Sequence, residues 1–235
     1  TGASRRIGRA TALRLAALGA DVVVHARESR DEVEAVARDI QALGRKALVQ
    51  LGDVGDEAQV AKMFAASQQA FGRLDILINN AAIRRTAAFT TLSLNDWHEI
   101  MSVILDGAFL CCRAAIPSMI AQGGGAIVNL GGISAHIGAM HRAHVSAAKA
   151  GIVGLTKALA VEFAESGIRV NCVAPGRIGG ERSKTAGASL AAGTAKPLLP
   201  REGTVEEVAD VIANLCVPGY ITGQTIHVNG GMYLP

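Results

Sequence analysis

The sequence predicts an α/β protein: a doubly wound parallel sheet with helices on both faces, folded as a single domain over residues 1–235. Three observations carry this prediction. Short apolar runs rich in β-branched residues alternate with longer stretches of helical period, the pattern of repeated strand–helix units. Half of the residues are hydrophobic, 18% are charged, 3% are aromatic and 27 are glycine, a make-up that suits tightly packed layers and excludes disordered and fibrous classes. No internal repeat, linker or compositional shift divides the chain.

Thr1-Gly2-Ala3-Ser4-Arg5-Arg6-Ile7-Gly8 is a turn of small residues that opens a helix, and its apolar spacing runs from Ile7 to Leu18 before Gly19 stops it. The chain begins in the middle of this turn, so a strand is expected ahead of it. Strands follow at 21–26, 46–51, 74–79, 125–130, 168–173 and 225–228, each bounded by Gly, Asp, Asn or Pro. Helices at 30–43 and 57–71 end at Gly44 and Gly72. From Val145, positions Lys149, Ile152, Thr156, Leu159 and Phe163 alternate by fours and threes and share one helix face. Residues 177–200, rich in Gly, Ala and Ser, read as a substrate lid loop.

The net charge of +3 is small, and the basic residues are dispersed apart from Arg5, Arg6, Arg9 and the pair Arg84, Arg85. No nucleic-acid partner is expected. Cys111, Cys112, Cys172 and Cys216 have neither CxxC spacing nor a secreted framework, which points to a reducing cytoplasm. No uninterrupted apolar run reaches the roughly 18 residues of a membrane span, so no membrane partner is expected.

The opening turn lets backbone N–H groups and a helix dipole approach a pyrophosphate, with Gly2, Ser4, Ile7 and Gly8 at the contact. After the strand at 21–26, a chain selecting NAD usually carries Asp or Glu; here Ala26-Arg27 supplies a cation for a 2′-phosphate, with Arg5 or Arg6 as a second clamp. Asp53-Val54 and Asn79-Asn80-Ala81-Ala82 end their strands at the edge where open α/β sheets bind ligands. Asp53 is placed to reach an adenine amine and the Asn80-Ala81 backbone a ribose. NADP(H) is the expected cofactor.

These segments, together with Ser146-Ala147-Ala148-Lys149-Ala150-Gly151, Val170-Asn171, Pro175-Gly176, Thr222-Gly223 and Asn229-Gly230-Gly231, resemble the short-chain dehydrogenase/reductase family in order and spacing, near its 3-oxoacyl carrier-protein reductase branch. The resemblance covers nearly the whole chain. It implies a Rossmann-like seven-stranded parallel sheet and a nicotinamide cofactor contacted by Lys149, Pro175, Gly176 and Ile178. It also implies a homodimer or homotetramer built through the long helices after the fourth and fifth strands. Arg6 stands where the common fingerprint has Gly, and Ala82 replaces another Gly.

The family works through an Asn-Ser-Tyr-Lys set, of which only Lys149 remains. Val145 stands at the tyrosine, Gly132 at the serine and Ile104 at the asparagine, and Gly180 stands where a Thr commonly touches the nicotinamide amide. Val145 has no proton to give. Three replacements suggest themselves: His144 as an acid near neutral pH, with His141 and His136 as neighbouring imidazoles; Ser134 displaced into the serine role; and Lys149 itself. His144 projects about 100° around the helix from Val145. A metal site of His136, His141 and His144 lacks carboxylates and familiar spacing, so no metal is expected. The expectation is an NADP(H)-dependent oxidoreductase acting on a small carbonyl or alcohol with an altered proton donor, His144 foremost. The alternatives are a catalytically silent nucleotide-binding or assembly protein, and a short-chain fold repurposed for a non-redox reaction.

Overall fold

The computed structural model describes residues 1–180 and 196–235, so most of the expected lid lies outside the described residues. The elements run α1 (Arg6–Ala17), β1 (Val22–Ala26), α2 (Arg30–Ala42), β2 (Ala47–Leu51), α3 (Glu57–Phe71), β3 (Ile76–Asn79), α4 (Leu94–Met101), α5 (Gly107–Ala121), β4 (Gly125–Leu130), α6 (Ser134–Ile137), α7 (Ala143–Glu162), β5 (Ile168–Pro175), α8 (Val205–Cys216) and β6 (Thr225–Val228). Local chemistry sets their ends. The Asp56 carboxylate accepts the Gln59 N–H at 3.0 Å to start α3, and Gly72 at φ +73° stops it, a backbone conformation that glycine adopts without a Cβ clash. Thr204 and Glu207 form a reciprocal capping box on α8.

Every strand pair is parallel. β3, β4, β5 and β6 form one sheet in that order, and β1 and β2 form a second. Among the described residues, six strands form in these two sheets, and their parallel order with helices on both faces is that of the expected doubly wound fold. A slot of about 430 Å³, lined by Val23, Ile76, Ile78 and Leu15 among others, lies between β1 and β3. Residues 1–3 bridge its mouth: the Thr1 amino group donates to the Ile78 carbonyl at 2.7 Å and the Ala3 N–H to the His25 carbonyl at 2.7 Å.

Register places Asn79 beside Asn129 and Asn129 beside Cys172, so the carboxyl ends of β3, β4 and β5 lie level along one edge. A buried polar chain ties α7 to that sheet. Asn79 Nδ2 donates to Asn129 Oδ1 at 2.9 Å, and Asn129 Nδ2 donates to Thr156 Oγ1 at 3.0 Å. Buried polar groups need such partners, and satisfying them specifies one seating of the helix. The predicted face of α7 is the buried one, with Val145, Ala148, Lys149, Ile152 and Thr156 all enclosed.

A π-helical turn, Ser102–Asp106, joins α4 to α5. The resulting run Leu94–Ala121, 28 residues, is long and apolar enough to cross a membrane by length and composition, although Asp106 and Arg113 interrupt its apolar sequence. Half of its apolar window is buried, and Cys111, Ala115 and Met119 are fully enclosed against Ile127 and Ile168 of the sheet, as in a core helix. All four cysteines are buried free thiols.

Candidate active site

A cleft of about 780 Å³ opens at the carboxyl ends of the strands. The loops after β1, β2, β3, β4 and β5 and the first turn of α1 converge on it, since parallel strands deliver their following loops to one edge. Gly2, Ser4, Arg5, Arg6, Ile7, Arg27, Asp53, Val54, Asn80, Ala81, Ala82, Ser134, Lys149, Pro175, Gly176 and Ile178 all line it. Of the residues expected at the site, Gly8 and His144 do not.

At one end lie the groups suited to a dinucleotide. Gly2, at φ +62°, passes so close to the β3 loop that a Cβ there would sit 2.9 Å from Ala81 Cα. Asn80 holds this turn, donating from Nδ2 to the Gly2 carbonyl at 2.8 Å and to the Thr1 carbonyl at 3.1 Å. The first turn of α1 has no side-chain cap and no acidic residue, leaving its N–H groups for an anion. Gly8 lies beneath rather than in the cleft: a Cβ there would meet the Gly2 carbonyl oxygen at 2.0 Å, so its role is to let the turn pack on the helix. Asp53 Oδ1 accepts the Gly55 N–H at 2.8 Å, which fixes the carboxylate at the cleft wall.

Arg27 and Arg5 stand at this end on solvent-exposed ion pairs with Glu28 at 3.2 Å and Glu32 at 3.6 Å. Such pairs contribute about 0–1 kcal/mol and exchange readily for a phosphate. Arg6 is different. Its φ of +50° is a strained conformation for a residue with a Cβ, and its guanidinium donates to the carbonyls of Gly180 at 2.9 Å and Ile178 at 3.0 Å. Arg6 thus lines the cleft while tied to the loop after β5. His25, which sequence reasoning passed over, also lines the cleft. It accepts the Gly2 N–H on Nδ1 at 3.3 Å and its Nε2 pairs with the Gly52 carbonyl at 2.9 Å, an arrangement that requires the neutral ring. Burial accordingly pushes its pKa down to about 4.

At the other end lie Gly131, Gly132, Ser134, Val145 and Lys149, joined by Ile83, Arg84, Val103, Arg142 and Arg177, none of the last five singled out by motif. Lys149 is buried at 4% exposure and donates from Nζ to the Leu130 carbonyl. Burial first, and the charge of Arg84 second, push its pKa down to about 7. Val145 and Ile104 pack together with Ala148, Ile152 and Cys172, so apolar contacts occupy the places of the tyrosine and asparagine. A Cβ built at Gly132 would lie 3.9 Å from Ser134 Oγ, which puts that hydroxyl close to the missing serine's position. His144 lies outside the cleft. It is fully buried, burial lowers its pKa, and neither ring nitrogen has a hydrogen-bond partner among the described residues. The helix turns about 100° per residue, so seating Val145 in the cleft sends His144 into the packing behind. His136 instead stacks on Tyr233, with ring centroids 5.1 Å apart, and meets His227 edge-to-face at 4.5 Å. No metal-binding cluster of His, Cys, Asp or Glu occurs among the described residues.

A parallel α/β sheet with a glycine-lined helix N-terminus, a cation after β1 and a buried lysine at one cleft defines a dinucleotide-binding oxidoreductase architecture. The family described as enoyl-(acyl carrier protein) reductase matches residues 2–233. A 3-oxoacyl-(acyl-carrier-protein) reductase of Synechocystis sp. is 38% identical over 242 residues, covering 100% of this chain and 95% of the relative. Its counterpart in Staphylococcus aureus is 39% identical, covering 100% and 96%. Among solved structures, the acetoin dehydrogenase of Salmonella typhimurium superposes with a TM-score of 0.89 at 33% identity, covering 98% of this chain and 93% of that one. The acetoin dehydrogenase of Enterobacter cloacae gives 0.89 at 35%, covering 98% and 92%. The chain belongs to the short-chain dehydrogenase/reductase family.

Proposed function

We propose that the protein is an NADP(H)-dependent oxidoreductase of a small carbonyl or alcohol substrate, in which Lys149 takes over proton transfer from the absent tyrosine. The observation that carries this reading is the position of Lys149 in the cleft wall, one helical turn from Val145, with a pKa near neutrality. An acid whose pKa lies near working pH is both protonated often enough and willing to donate. When bound, the nicotinamide supplies hydride chemistry at this end of the cleft. The chain's own groups do the rest: Lys149 delivers a proton to the developing alkoxide, and Ser134 Oγ, beside the place of the missing serine, serves as a neutral donor to that oxygen. Leu130's carbonyl holds the ammonium in place. His144, enclosed behind the cleft, has no part in this proton path.

Selection of the 2′-phosphate rests on Arg27, supported by Arg5 and by Ala26 in place of an acid. Exposed Phe109 and Ile120 on α5 and Val161 on α7 support assembly as a dimer or tetramer through those helices. Titration of the purified chain with NADPH and NADH, followed by nicotinamide fluorescence and thermal shift, tests the cofactor half. Tight NADPH-selective binding is expected, and Arg27→Asp should weaken NADPH at least tenfold while leaving NADH nearly unchanged. Equal effects on both cofactors would refute the phosphate assignment. Failure of a folded sample to bind either would favour a non-redox use of the fold.

A further inference from the structure

We infer that Arg6 is a positioning residue for the nicotinamide half of the cofactor, setting from the first turn of α1 the backbone of residues 178–180 after β5; this deepens the oxidoreductase reading and rests on it. That backbone is held on one side by Gly203. The Gly203 N–H donates to the Arg177 carbonyl at 2.9 Å and the Gly179 N–H to the Gly203 carbonyl at 2.8 Å, so Ile178 and Gly203 form a parallel bridge. In such a bridge the residues on either side of Ile178 make the bonds, and the N–H and C=O of Ile178 itself point the other way. Arg6 stands on that other side: its Nη2 donates to the Ile178 carbonyl at 3.0 Å and its Nη1 to the Gly180 carbonyl at 2.9 Å. Carbonyls two residues apart in an extended chain face the same side, and a planar guanidinium fork spans them where a single ammonium does not. The Ile178 side chain is buried in the apolar cluster that also holds Ile7, the residue next to Arg6. With its side chain enclosed and its backbone held from both sides, the Ile178 peptide has one orientation.

Two features argue that this tie serves the cleft. Arg6 opens α1 at φ +50°, a conformation that glycine adopts freely and that a residue with a Cβ adopts under strain; strain of this kind persists where the surroundings fix it, and it gathers at ligand sites. Both ends of the tie also line the cleft, since Arg6 and Ile178 share its wall with Gly132, Val145 and Lys149. Gly180, the further residue that Arg6 reaches, has no side chain to offer a nicotinamide amide, so the polar groups of this strip are those of its backbone and their direction matters. Fixing them before the cofactor arrives lowers the ordering cost of binding its nicotinamide half.

Titration of the full chain with NADPH and with 2′,5′-ADP, a fragment that keeps the 2′-phosphate and lacks the nicotinamide half, tests this. Wild type should bind NADPH the more tightly. Arg6→Gly and Arg6→Lys should each weaken NADPH by about 10- to 100-fold, the usual loss of a charge-assisted hydrogen bond, and leave 2′,5′-ADP within about twofold. Without cofactor, amide exchange at Gly179 and Gly203 should quicken by about tenfold in both variants as the strip loosens. The Tm of Arg6→Gly should hold, because relief of the φ strain offsets the lost bonds. Arg27→Asp supplies the contrast and should weaken both ligands together. Equal weakening of both ligands by Arg6→Gly would put Arg6 on the 2′-phosphate, and unchanged NADPH binding by Arg6→Lys would reduce its part to charge. Either result, or NADPH affinity unmoved by Arg6→Gly, would overturn the inference and leave the cofactor reading standing. A folded wild type that binds NADPH no more tightly than 2′,5′-ADP would reject the oxidoreductase reading and the inference with it.

Discussion

Replacing Lys149 with methionine keeps the apolar stem and removes a group that is both buried in the cleft wall and titratable near neutrality. The folded protein holds the lysine's pKa at about 7 against an ordinary 10.5, with burial as the main cause. Between those values the unfolded chain binds a proton that the folded chain does not, so wild-type stability rises with pH across that window. The slope approaches about 1.4 kcal/mol per pH unit, so the stability of wild type relative to Lys149→Met should climb by about 2–3 kcal/mol from pH 7.5 to 9.5. Urea unfolding of both proteins at the two pH values reads this difference directly. A difference that stays constant with pH would show that Lys149 does not titrate near 7 and would remove the basis for its role as acid. Activity supplies the second reading. Carbonyl reduction by wild type should fall as pH rises through about 7, because the donor must be protonated. The methionine variant should lose about 10²- to 10⁴-fold in kcat, and a residual rate with the same pH limb would place the titrating group elsewhere.

His144→Leu should leave activity intact and keep or raise stability, because it replaces a fully buried ring whose nitrogens lack partners with an apolar side chain of similar bulk. Thermal unfolding and turnover of that variant decide between the packing role and the proton-donor role expected from sequence; loss of activity would restore the latter. Val145→Tyr combined with Gly132→Ser should raise reduction of a neutral ketone such as methyl acetoacetate by about tenfold or more. Val145 and Gly132 both line the cleft, and the nearest atom a Gly132 Cβ would meet is Ser134 Oγ at 3.9 Å. No gain across neutral carbonyls would mean that the pocket has lost more than its proton and oxyanion donors.

Much of this molecule was legible in one dimension because its signals are local. Alternation of apolar runs with helical spacing placed each described strand within two residues, and Gly19, Gly44 and Gly72 marked helix ends through their positive φ angles. The glycine turn, Arg27, Asp53, Asn80 and Pro175-Gly176 were readable as a cleft because parallel strands send every following loop to the same edge. The sequence by itself thus determined the layered α/β design, the nucleotide end of the site and the loss of the tyrosine, serine and asparagine. Only the tertiary structure decided which side chains face the cleft. Adjacent His144 and Val145 are equal candidates in sequence, and the seating of α7 by the Asn129–Thr156 bond buries one and presents the other. Arg6 reads as a phosphate ligand in the sequence, and only the fold brings the Ile178 and Gly180 carbonyls beside it. Arg84 and Arg142 carry no motif, and they line one cleft because the loops that bear them, distant in sequence, fold to the same sheet edge. Spacing sets which residues share a helix or strand, but a side chain's neighbours depend on the phase and packing of whole elements, and these form only when the core closes.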